Sequence, residues 1–164
     1  MNKTAFTIEP GTHELVLTRE FDAPRDLVFK VYTDPELLPR WWGPRYLTTT
    51  VDKMDVRPGG HWRFVQRAPD GNEYGFHGVY HEVMGPERVV DTFEFEGMPG
   101  HVALETTTLE DLGGGRTRLT THSVFQSVAD RDAAASSGME SGASETMDRL
   151  EELLAAQLAH SHRS

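Results

Sequence analysis

The chain has 164 residues, a formal net charge of −10 and no cysteine, a length that suits one domain burying about 70% of its unfolded surface. Missing thiols exclude cysteine nucleophiles, cysteine-ligated zinc and disulfides. The acidic balance, with Lys and Arg scattered among acids, lacks the electrostatic footprint of a binder of nucleic acid or anionic lipid.

No apolar run approaches the ~20 residues that a bilayer crossing needs, and residues 1–11 carry no apolar core of signal-peptide length. A soluble, cytoplasmic protein without nucleic-acid partners or membrane insertion is the expectation. Residues 1–12 are expected to be a flexible segment ahead of a single domain over residues 13–159, with a flexible tail at residues 160–164.

From His13 to Phe21, Leu15 and Leu17 alternate with Glu14, Val16, Thr18 and Glu20, the period of a strand with one buried face. Helical spacing follows. Pro24 sits where a first turn tolerates a missing N–H, Asp22 precedes it as a candidate cap, and Leu27, Val28, Val31 and Tyr32 recur at three and four. Asp34-Pro35 repeats that signal and opens a second short helix, running to about Trp41 and ended by Gly43-Pro44. Six extended runs come next, over residues 47–56, 61–67, 73–83, 88–95, 102–111 and 116–125, separated by Gly- and Pro-rich breaks. Their short connections predict an antiparallel meander. Ser127 followed by Asp130, and Ser137 followed by Glu140, are capping boxes that predict a short helix and then a long one. In the long helix Met139, Ala143, Met147, Leu150 and Leu154 form an apolar stripe opposite Glu140, Asp148, Glu151 and Glu152.

An α+β fold follows, in which a curved antiparallel sheet of order β-α-α-β6-α wraps a long C-terminal helix and buries its stripe. Such a sheet commonly leaves a tunnel between helix and concave face. Phe21-Asp22-Ala23-Pro24, Asp34-Pro35, Trp41-Trp42-Gly43-Pro44, Pro58-Gly59-Gly60, Pro69-Asp70-Gly71, Gly78-Val79-Tyr80-His81-Glu82, Pro86-Glu87-Arg88 and Gly138-Met139 resemble the START-like helix-grip superfamily, also called SRPBCC. Within it they resemble the branch named for the activator of the ninety-kilodalton heat-shock protein's ATPase. The resemblance spans residues 13–159 and implies the helix-grip fold. Relatives bind lipids, polyketides, hormones or antibiotics, and some catalyse cyclisation or hydrolysis, so fold alone does not assign an activity. Where close relatives often carry a bulky aromatic after the helix's glycine, this chain has Gly142-Ala143, which implies more room above the sheet.

The candidate ligand-binding residues are Trp42 beside the second helix, Trp62, Phe64, Phe76, Tyr80 and Phe93 on strands, and Met139, Ala143 and Met147 on the last helix. Alternation puts Trp62 with Phe64, and Phe76 with Gly78 and Tyr80, on one face of their strands. Aromatic walls with a few polar tips suit a planar apolar ligand. His77 and His81 share a strand face ~13 Å apart, too far for one metal ion, and no metal site or cofactor is expected. Ser123, Ser127, Ser136 and Ser137 lie in no nucleophile elbow. Glu105 and Arg118 are expected to form a cross-strand ion pair. The leading expectation is therefore binding of a small apolar or aromatic molecule. A cavity enzyme of cyclase or hydrolase type is the alternative, and a co-chaperone-like interaction protein is a third reading. The full activator carries a further N-terminal domain outside this resemblance, which makes a chaperone interaction doubtful, and an open strand edge would allow a homodimer.

Overall fold

The computed structural model describes residues 2–161. Its strands are β1 Ala5–Thr7, β2 Glu14–Phe21, β3 Thr48–Met54, β4 His61–Arg67, β5 Glu73–Met84, β6 Arg88–Phe95, β7 Val102–Gly113 and β8 Arg116–Val124. They form one antiparallel sheet in the order β1-β2-β8-β7-β6-β5-β4-β3. The helices are α1 Arg25–Thr33, α2 Val128–Ser136 and α3 Met139–Ser161. None of the described helices is long and apolar enough to cross a membrane.

The N-terminal residues are not a free segment. Ala5, Phe6 and Thr7 pair with Thr18, Leu17 and Val16, and the Asn2 side chain donates to Glu151 at 2.8 Å. Three residues are too short a run to announce a strand by alternation, and pairing with β2 is what orders them. At the other end α3 continues through Ser161, which includes His160 of the expected tail; residues 162–164 lie outside the described residues.

Proline and glycine reshape three local expectations. Pro24 itself is the N-cap of α1, and Asp22 instead accepts from Arg116 at 2.9 Å. The expected second helix shortens to a 3-10 turn, Leu38–Arg40, because Pro39 lacks the N–H that a helix begun at Pro35 would bond back to the Pro35 carbonyl. Asp34 holds the entry by accepting from the Glu36 N–H at 2.9 Å. Ser127 caps α2 as its box predicts, accepting from the Asp130 N–H. Ser137 ends α2 rather than opening α3: its hydroxyl donates to the Ala134 carbonyl at 2.8 Å. Gly138 follows at φ 80°, a left-handed conformation that favours glycine.

Helix α3 closes the concave face with Met147, Leu150, Leu153 and Leu154 buried against Phe21, Val28, Val31, Leu38, Trp62 and Leu119. Its neighbours Asp148 and Arg149 grip opposite flanks of the sheet. Asp148 pairs at 2.9 Å with Arg19 of β2, which also reaches Glu151 at 3.4 Å and Thr4 at 2.9 Å. Arg149 donates to the carbonyls of Gly43 at 2.6 Å and Arg40 at 3.0 Å, in the segment leading into β3. In the sheet order β2 and β3 stand six strand spacings apart, about 29 Å if flat, against a helix about 10 Å wide. Consecutive residues can touch both only because the sheet curls.

Arg19 is 1% exposed, so its removal would leave two carboxylates facing a buried gap. Arg19→Ala should destabilise the domain by about 3 kcal/mol. Urea unfolding followed by circular dichroism measures this, and a loss below ~0.5 kcal/mol would show that the pairing does not hold the flank.

Candidate functional site

Register decides which rings face the helix. Trp62 opposes Gly78 and Phe64 opposes Phe76, Phe76 opposes Phe95, and Phe93 opposes Ala103, so the alternation read from the sequence places these rings on the concave face. Trp42 sits edge-on to Phe64, Phe76 and Trp62, with centroids at 5.1, 5.3 and 6.4 Å. Phe93 lies 5.6 Å from Phe76 and 6.1 Å from Trp62. Trp62 and Phe64 are closed, whereas Trp42, Phe76 and Phe93 keep accessible surface.

Two glycines make this wall. A Cβ on Gly78 would stand 1.9 Å from the Thr92 carbonyl oxygen and 2.5 Å from Trp62 Nε1, so the indole can lie across β5 only where a side chain is missing. Gly43, at φ 92°, turns the chain beneath Gln66, and the Thr49 hydroxyl donates to the Trp42 carbonyl at 2.7 Å. These bonds and the Arg149 grip fix Trp42.

On the helix, Met147 is buried and Ala143 packs partly against the same core, while Met139 stands apart in the first turn. A Cβ on Gly142 would meet nothing within 4 Å. Tyr80 belongs one row further along the sheet, away from the ring cluster.

That row is polar. Tyr80 opposes Asp91, Asp91 opposes Glu105, and Glu105 opposes Ser123. The Ser123 hydroxyl donates to Glu105 at 2.9 Å. On one side lie Thr107 and Thr121, 3.0 Å apart through their hydroxyls, with the Tyr32 hydroxyl of α1 at 3.3 Å from Thr107. Asp91, Phe93, Glu105 and Thr121 retain accessible surface while Val89, Ala103, Thr107, Leu109 and Leu119 beside them are closed. These concave side chains are therefore not fully covered by α3.

Burial pushes the Asp91 carboxyl well above the ordinary carboxylate range, with the Glu105 charge as the second cause. Burial raises Glu105 as well, against the lowering effect of Ser123. Tyr32 and Tyr80 are both raised, first by burial and then by the Asp91 charge. The Trp62 indole N–H approaches Asp91 closely enough to favour its carboxylate but short of hydrogen-bond geometry, and it has no partner among the described residues.

Several sequence expectations change here. Glu105 faces inward to Ser123 rather than pairing with Arg118, because it stands opposite Ser123 while Arg118 stands opposite Glu110 and bonds it at 3.2 Å. Asp91 was not singled out by its sequence context, although alternation already sets it on the face of Val89 and Phe93. His77 lies on the outer face, 2.9 Å from Glu96 and 3.4 Å from Glu94. The hydrogen bond from Arg63, then that from His77, pulls Glu96 down to about 2. Among the described residues no group of His, Asp and Glu is placed to hold a metal ion.

Two hollows open elsewhere. One of about 520 Å³ lies at the strand ends around Arg63, Tyr74, Phe95 and Glu96, and one of about 200 Å³ lies between Arg45, Arg149 and Glu152. Neither contains the polar row.

The family model described as Activator of Hsp90 ATPase homolog 1-like protein matches residues 22–155. Among solved structures, one from Rhodobacter sphaeroides is 28% identical with a TM-score of 0.86, covering 94% of this chain and 99% of that one. One from Mycobacterium smegmatis is 29% identical with a TM-score of 0.82, with the same coverage of 94% and 99%. A structure from Arthrobacter aurescens is 26% identical with a TM-score of 0.85, covering 93% and 91%. No curated protein matches the chain.

Acids raised in the folded state bind protons there that the unfolded chain releases. Their stabilising contribution is full below the unfolded values near 4 and is lost as pH rises through the folded ones. Thermal melts should therefore show a stability decline on the alkaline side that Asp91→Asn flattens. At pH 8 that variant should be more stable by on the order of 1 kcal/mol. Unchanged melts across pH 5 to 9 in both proteins would mean that the row is solvated and ordinary.

Proposed function

The chain belongs to the Activator of Hsp90 ATPase homolog 1-like family, and from that premise we propose that it binds a small apolar or aromatic molecule between α3 and the concave face. The START-like fold commonly shelters hydrophobic ligands. The observation that carries the reading is the half-open aromatic wall: Trp42, Phe76 and Phe93 keep accessible surface on a face that α3 otherwise closes. A fully interdigitated core would hide them. Trp62, Phe64 and Tyr80 form the floor in this reading, and Ala143 and Met147 the roof. In this reading the ligand is met in the cytoplasm.

A second reading is a cavity enzyme. The Asp91 and Glu105 pair favours it, since buried acids with raised proton affinity beside tyrosine hydroxyls are what general acid catalysis uses. The two readings use the same face of the sheet, and the binding step is common to both.

A thermal-shift screen of apolar and aromatic molecules should find compounds that raise the melting temperature, because a ligand selective for the native state stabilises it. Silence across a broad library at millimolar levels would end the proposal. Ala143→Trp adds a ring beside the open space at Gly142. It should abolish those shifts while changing the stability of the free protein by less than about 1 kcal/mol. Loss of folding would show that the roof has no room.

A further inference from the structure

Asp91 and Glu105 are direct partners across β6 and β7, so their Cβ atoms stand about 5 Å apart. Neither has an ion-pair partner among the described residues, and the inward Arg19 is committed to Asp148 and Glu151. Tyr80 and Ser123 flank the pair along the row, α1 supplies Tyr32 through Thr107, and α3 faces inward with Met147, Leu150 and Leu154. With no cation near, two carboxylates at that separation away from bulk water cannot both be charged, so one keeps a proton and becomes a donor.

An independent observation points to what is missing. Trp62 is 3% exposed, its indole N–H lies near Asp91 of that pair, and it makes no hydrogen bond of normal geometry. A buried donor without an acceptor carries a free-energy cost that an incoming acceptor removes. A hydrocarbon would leave the indole and the acids as they are. An amine would serve the acids and leave the indole unpaired.

We infer that the site proposed between α3 and the concave face takes a planar apolar molecule bearing a carbonyl oxygen, which accepts from the Trp62 indole N–H and from the carboxyl proton shared by Asp91 and Glu105. The apolar body lies over Phe93 and Phe76. This specifies the ligand class for the apolar-binding reading and rests on it.

Acetylnaphthalene, ethylnaphthalene and naphthylethylamine share one apolar body and differ in the polar group, and calorimetric titration compares them on the full chain. The ketone should bind about tenfold more tightly than the hydrocarbon, with the amine behind the ketone. The carbonyl stretch of an isotope-labelled ketone should move to lower frequency on binding. Trp62→Phe should erase the ketone's advantage, so that ketone and hydrocarbon bind the variant with equal affinity. Asp91→Leu provides the same comparison through the other donor if the tryptophan variant does not fold. Equal affinity for ketone and hydrocarbon would overturn carbonyl recognition and leave apolar binding standing. Tighter binding of the amine would overturn it too, because the acids would then act as anions. If no probe binds the folded protein, both readings fall.

Discussion

The arrangement depends on one helix being held from two sides. Asp148 and Glu151 reach Arg19 on β2, while Arg149 reaches the carbonyls of Arg40 and Gly43 ahead of β3. Adjacent side chains on a narrow helix can make both contacts only if the eight strands bend round it. Arg19 and Arg149 therefore fix curvature as well as position. Their partners differ: Arg19 is closed off and meets carboxylates, whereas Arg149 meets main-chain carbonyls and keeps more contact with solvent. Losing the first leaves buried charge uncompensated, which is the costlier defect.

Curvature explains why the interior has two chemistries. Toward one end the rings of Trp42, Phe64, Phe76 and Phe93 meet at edge-to-face or tilted angles around Trp62, which suits their quadrupoles and fills space efficiently. One row further, Tyr80, Asp91, Glu105 and Ser123 cross the same concave surface. A domain selected only for stability would place apolar residues there, since buried acids without cations weaken the native state. The outer-face acids show the contrast. Glu96, bonded by Arg63 and His77, is held ionised by partners, and it stabilises the fold above the ordinary carboxylate range. The inner acids have no such partners and are stabilised as neutral groups.

Much of this was legible along the chain. Alternation in β4 and β5 set Trp62, Phe64, Phe76 and Tyr80 on one face, and the six strands of the meander lie where Gly- and Pro-rich breaks put them. The same alternation set Asp91 with Val89 and Phe93, but a lone acid in an apolar run has no sequence signature separating a buried carboxyl from a strand-end charge. Glu105 was misassigned to Arg118 for a related reason: strand order was predictable, and register was not. Arg118 stands five places from the true partner Ser123, an odd offset that puts it on the outer face with Glu110 while Glu105 faces inward. The expected cap at Ser137 failed because Gly138 supplies the left-handed turn that ends one helix before the next begins.

The sequence by itself determined the element order, the faces of the central strands and the stripe on the last helix, because each is encoded by local period, turn residues and caps. Tertiary structure alone decided that the first residues add a strand, that Arg19 and Arg149 grip one helix from opposite flanks, and that Asp91 meets Glu105 beneath an unpartnered indole. Those facts join residues distant along the chain. They follow from strand register and sheet curvature, which no local pattern specifies.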